Sequence, residues 1–163
     1  MTMTSPHACD AHCRHEPHGI YIISSSNAVE KAEQLELAQQ HLRALGWEVD
    51  LDQDALARFQ RFAGTDEQRV NAIHRALEQP HQVVLSSRGG YGLSRLLPVI
   101  NWRAVADSHK RFVGHSDFTA FNNALLAQTG AISYAGPCAA FDFGVAEPDD
   151  LTLDLFHESM TDQ

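Results

Sequence analysis

Long hydrophobic runs are missing from this sequence, and positive charge is scarce. No apolar stretch approaches the roughly 20 residues that a membrane span needs, so no membrane partner is expected. The first residues hold no continuous apolar core, so no secretory leader is expected and the cytoplasm is the expected compartment. Lys and Arg number 12 against 21 Asp and Glu, a formal net charge of −9. Nucleic-acid backbones demand clustered cations, so no nucleic-acid partner is expected either. Cysteine is rare as well: Cys9, Cys13 and Cys138 are too few to form a disulfide framework. What is present is 44% hydrophobic and 20% charged residues over 163 positions. That composition and length suit one water-soluble domain with its own core.

Residues Met1 to His18 read as a disordered tail, with no apolar period. They carry His7, Cys9, His12, Cys13, His15 and His18, ligand types that suit a soft metal, but not at the spacing of a zinc finger or ribbon. From Gly19 to Gln163 the pattern is that of one domain. Ile20–Ile23 is a short apolar run of the buried-strand kind. Leu35, Ala38, Leu42 and Leu45 recur at helical spacing, predicting a helix from about Val29 to Leu45 with Gly46 at its end. Trp47–Leu51, Gln82–Ser86, Arg111–Val113 and Ala131–Tyr134 read as further strands. Asp52–Gly64 reads as irregular or partly helical. Thr65 and Gln68 form a capping box for a helix that ends before Pro80. Leu93–Ile100, Phe118–Gln128 and Asp149–Met160 read as three more helices. Strands alternating with helices predict a mostly parallel sheet with helices on both faces, a flavodoxin-like, doubly wound α/β fold.

In such a sheet, ligands gather at the carboxyl ends of the strands, so the residues just after each strand matter most. Three strand ends stand out: Ser87-Arg88-Gly89-Gly90-Tyr91-Gly92, Gly114-His115-Ser116-Asp117 and Ala135-Gly136-Pro137. The parallel reading places all three along one edge. A Ser between a buried strand and a helix sits on an exposed corner, the arrangement of a nucleophile elbow, and the next amide then faces a forming oxyanion. The competing reading is that Ser116 or Asp117 merely caps the next helix. Phe118 stands where the G-x-S-x-G pattern has its second glycine. The glycine loop has three readings: an oxyanion hole shared with Ser116, a phosphate cradle, or a plain turn. It matches neither common nucleotide-binding pattern. Cys138 either approaches the cleft or, as free cysteines more often do, fills space as a small buried hydrophobe.

Four stretches in order carry a resemblance. Arg88-Gly89-Gly90-Tyr91-Gly92 with Leu93-Ser94-Arg95-Leu96-Leu97-Pro98, then Gly114-His115-Ser116-Asp117, Ala63-Gly64-Thr65-Asp66-Glu67-Gln68-Arg69 upstream and Gly136-Pro137 downstream are similar to the motifs of LD-carboxypeptidases. The resemblance implies a serine peptidase that removes terminal D-alanine from muropeptide tetrapeptides in peptidoglycan recycling. One branch of that family cleaves microcin-type peptidyl nucleotides instead. It implies Ser116 as nucleophile, the backbone amides of Asp117 and Gly90 as oxyanion hole, and no metal or other cofactor. Arg88, Gly89 and Tyr91 are the candidate substrate contacts. Homodimers are common in the family.

The family is about twice this length, and its triad Glu and His lie in a C-terminal domain. Here no residue matches them, so the expectation is an N-terminal nucleophile domain without that partner domain, inactive alone. His115 adjoins Ser116 without matching the triad His. His109 precedes its strand at the opposite end, and His157 falls in the last helix. A serine without a base is a poor nucleophile at neutral pH.

Overall fold

A computed structural model describes residues 18–161. The elements run β1 (Gly19–Ile23), α1 (Ala32–Ala44), β2 (Glu48–Leu51), α2 (Asp66–Glu78), β3 (Val83–Ser86), α3 (Trp102–Asp107), β4 (Arg111–Val113), α4 (Thr119–Thr129) and α5 (Asp150–Thr161). The four strands are all parallel, in the order β2-β1-β3-β4. All residues of β1 and β3 are buried, as expected for strands covered on both faces. One apolar cluster joins Ile20, Ile22 and Leu85 to Leu35, Ala38 and Leu42 of α1 and Phe156 and Met160 of α5. On the other face Tyr21, Ile23 and Val84 pack with Val70 and Ile73 of α2, Val105 of α3, and Phe121 and Leu125 of α4. This is the expected doubly wound arrangement. Except for His18, whose ring lies 5.5 Å from that of Trp47, the tail is outside the described residues.

Several boundaries differ from the sequence reading, each for a local reason. The first helix begins at Ala32 rather than Val29, because the loop before it is held elsewhere: Ala28 N–H donates to Arg61 O, and Arg58 donates to Val29 O. The expected helix over Leu93–Ile100 is one tight turn at Leu93–Arg95, and Pro98 lies beyond it. The real helix, α3, starts at Trp102, where Asn101 caps it through Ala104 N–H. The fifth strand is reduced to a parallel bridge of Tyr134 with Val113. Tyr134 exchanges two backbone hydrogen bonds with Phe112 and Gly114. Pairing then stops within three residues, at Pro137, which has no N–H to give. The segment 52–64 is irregular, and the Thr65–Gln68 capping box is formed in full.

A buried ionic cluster holds the end of β2 under α2. Asp52 accepts two hydrogen bonds from Arg75, at 2.8 and 2.6 Å, one from Tyr21 at 3.0 Å and one from the Asp54 amide at 2.9 Å. Burial alone would raise the Asp52 carboxyl. The hydrogen bonds from Arg75, the Asp54 amide and Tyr21 outweigh burial and hold it below the usual carboxylate range. The Tyr21 hydroxyl is pushed up to about 12, first by burial and then by the Asp52 charge, so it stays a donor at any physiological pH.

Removing Arg75 leaves Asp52 buried and unpaired. Arg75→Met is expected to cost about 3 kcal/mol in urea unfolding at neutral pH. Because the folded Asp52 carboxyl titrates below its unfolded value of about 3.9, its stabilisation is complete above that value. It is lost as pH falls through the lower folded value. The gap between wild type and Asp52→Asn should therefore narrow below about pH 4.

Candidate active site

The three strand ends do meet along one edge. Ser116 lies three residues past the end of β4 and has φ of +61°. That left-handed conformation is uncommon for a residue with a Cβ, and it turns the exposed side chain out of the chain's path. Gly114 before it has to be glycine: a Cβ there would stand 2.8 Å from both the Phe118 ring and Ser86 Cβ. Phe118, in place of the second glycine of the usual elbow, sends its ring into the core, stacked 4.8 Å from Phe121. Neither Ser116 nor Asp117 caps α4 with its side chain. The Asp117 carboxylate instead accepts the Leu93 amide at 3.0 Å, tying the serine turn to the glycine loop.

The glycine loop lies directly against the serine. A Cβ on Gly89 would stand 2.6 Å from Ser116 Cβ, 2.8 Å from its Oγ and 3.3 Å from the Asp117 nitrogen. Only hydrogen fits there, and that leaves the space beside the hydroxyl and the Asp117 amide clear. Gly90, at φ +124°, is backed by Asn27, whose side chain a Cβ would meet at 2.4 Å. Asn27 also accepts the Tyr91 amide at 3.0 Å and donates its own amide to Gly89 O at 3.4 Å. Arg88 is engaged inward. It donates to Ala28 O, pairs with Glu30 at 3.2 Å and lies 4.8 Å above the Phe141 ring. Tyr91 is 66% exposed, with the Arg61 guanidinium 5.5 Å over its ring.

Two supporting residues escaped the sequence reading of roles. Asn27 ends the Ser24-Ser25-Ser26-Asn27 run after β1, a polar strand end that was the available signal. Arg69, inside the upstream motif, is completely buried. It donates to Ser25 O at 3.0 Å, pairs with Asp66 and lies 4.8 Å from the Phe62 ring, which in turn packs beneath Gly92. It therefore braces the Gly92 end of the glycine loop against the segment that follows β1. Among the described residues none hydrogen-bonds Ser116 Oγ. His109 lies at the start of β4, opposite the site, and His157 accepts the Trp47 indole N–H at 3.1 Å. His115 Nε2 turns to Asp142, at 3.3 Å.

Chemically, the edge offers an exposed hydroxyl beside an amide that no Cβ shields, a geometry for acyl transfer. The strained backbone at position 116 has a stability signature. Ser116→Gly relieves the left-handed penalty and Ser116→Ala does not. The glycine variant should be about 1 kcal/mol more stable than the alanine variant by thermal or urea unfolding, although both lose the hydroxyl. Equal stabilities would mean that Ser116 is unstrained.

The chain resembles known proteins in sequence and in fold. The LD-carboxypeptidase N-terminal domain family matches residues 20–136. The crystal structure of muramoyltetrapeptide carboxypeptidase from Oxalobacter formigenes superposes with a TM-score of 0.80 at 39% identity, covering 88% of this chain and 48% of that one. An MccF-like protein from Bacillus anthracis gives 0.83 at 30% identity, over 90% of this chain and 45% of its own. The murein tetrapeptide carboxypeptidase of Pseudomonas aeruginosa is 32% identical over 122 residues, 74% of this chain but 39% of that protein. The chain thus spans less than half the length of each. With the matched segment running from β1 through the serine turn to Gly136, the chain belongs to the LD-carboxypeptidase family and corresponds to its N-terminal domain.

Proposed function

We propose that this chain is the nucleophile-bearing domain of a cytoplasmic serine carboxypeptidase that releases terminal D-alanine from muropeptide tetrapeptides, as in peptidoglycan recycling. The observation that carries the reading is Ser116 on a left-handed elbow with its hydroxyl turned to the glycine loop. A phosphate cradle would not need a strained serine facing the loop, and a plain turn would not need Gly89 free of a Cβ at that contact.

In this reading Ser116 Oγ attacks the carbonyl carbon of the L,D peptide bond. The amides of Asp117 and Gly90 hold the oxyanion, and collapse expels D-alanine and leaves an acyl-serine that water hydrolyses. Gly89 keeps the approach open, and Tyr91 borders the cleft. Among the described residues no proton acceptor is hydrogen-bonded to Ser116. By resemblance, a Glu-oriented His from a second domain supplies it, so the 163-residue chain on its own is a nucleophile without a base.

The test is D-alanine release from a muramoyl tetrapeptide, first by the chain alone and then by the chain joined to the second domain of the Oxalobacter relative. The expected result is background turnover alone and clear turnover when joined. Ser116→Ala should then lower turnover by roughly 10³-fold or more. Ser116-dependent release by the chain alone would place a base within these residues. Preference for a peptidyl nucleotide over the tetrapeptide would move the enzyme to the microcin-immunity branch, which the likeness to the MccF-like structure keeps in view.

A further inference from the structure

One cluster of ligand-type side chains takes no part in the chemistry above. His115, Cys138 and Asp142 bring an imidazole nitrogen, a thiol sulfur and a carboxylate oxygen within 4.8 Å of one another. His115 follows β4, while Cys138 immediately precedes, and Asp142 lies within, a wide helical turn over Ala139–Phe143. The wide turn, of a type common at functional sites, brings Asp142 back beside Cys138. There its Oδ2 accepts the Cys138 amide at 2.7 Å and faces His115 Nε2 at 3.3 Å.

The ordinary explanation is an ion pair beside a buried cysteine, and it leaves the convergence of three different donor atoms without a role. Cys138 is fully buried, yet it belongs to neither apolar cluster.

We propose that His115, Cys138 and Asp142 form a binding site for a zinc-class divalent cation, one residue away from Ser116. Nitrogen, sulfur and carboxylate oxygen are all zinc donors, and three protein ligands leave a fourth position for solvent. Zinc bond lengths of about 2.0–2.3 Å set tetrahedral donors roughly 3.3–3.7 Å apart. The cluster must therefore close by about an ångström. Closure falls to the more exposed side chains, His115 and Asp142 at 46% and 33% exposed, while Cys138 is buried. Binding replaces the thiol proton, which leaves to solvent. The Cys138 amide already orients the Asp142 carboxylate in the way outer-shell groups orient ligands. No step of the peptide cleavage runs through this cation, and the site stands whether or not Ser116 is the nucleophile.

Cobalt spectroscopy tests it. The whole chain is used with Cys9→Ser and Cys13→Ser, which leaves Cys138 as its remaining thiol. Titration with Co²⁺ should raise a thiolate-to-cobalt charge-transfer band in the near ultraviolet, saturating at one equivalent and bleached by Zn²⁺. The band should vanish on Cys138→Ser. His115→Ala and Asp142→Asn, both partly exposed and so tolerable to the fold, should each weaken Co²⁺ binding by about tenfold or more with unchanged circular dichroism. Absence of the band, or a band whose midpoint ignores both His115→Ala and Asp142→Asn, overturns the site.

Discussion

Gly89 and Ser116 touch across a gap that admits hydrogen and no carbon, and the arrangement of the whole edge depends on that contact. Two turns on neighbouring strands, β3 and β4, must arrive at the same height and face each other. The parallel sheet supplies the height. Asp117 supplies the facing, because its carboxylate anchors the first amide of the Leu93–Arg95 turn. Asn27 and Arg69 support the loop from the β1 side, the first through the Tyr91 amide and the second through Ser25 and the Phe62 ring under Gly92. A displacement in any of these supports would reach the serine, since close-packed interiors transmit strain.

The local energetics run against stability at the serine and in favour of it elsewhere. A serine at φ +61° and a glycine at φ +124° sit side by side at the site. Such conformations persist where the surroundings over-determine them. Here the surroundings are the Phe118–Phe121 stack on one side, and on the other the buried Arg69 with the Phe62 ring under Gly92. Arg69 is anchored on α2, whose start is fixed by the Thr65–Gln68 capping box.

Much of this was legible in the sequence because it was written in local patterns. The β1 run, the α1 spacing and the capping box each gave their elements within a few residues. The glycine loop and the serine turn were legible as a pair because the parallel topology forces strand ends together. What escaped was set by distant partners. The fifth strand had strand-like residues, but it pairs through Tyr134 alone. Arg88 looked available to a substrate, yet Ala28 O, Glu30 and Phe141, none adjacent in sequence, occupy it. Asp142 sits in a wide turn that no local pattern announces, and Asn27 gains its meaning only when Gly90 is folded against it.

The central claim is that Ser116 and the amides of Asp117 and Gly90 converge on one reacting carbonyl. Its most direct measurement is a crystal structure with a muramoyl tripeptide whose terminal carboxyl is replaced by a boronic acid. That carbon carries the scissile bond in the tetrapeptide, and boron in its place can add to a serine hydroxyl. The account predicts boron bonded to Ser116 Oγ, with one boronate oxygen about 2.7–3.1 Å from both amide nitrogens. A boronate bound elsewhere, or one attached to Ser116 with its oxygens directed away from both amides, would contradict it.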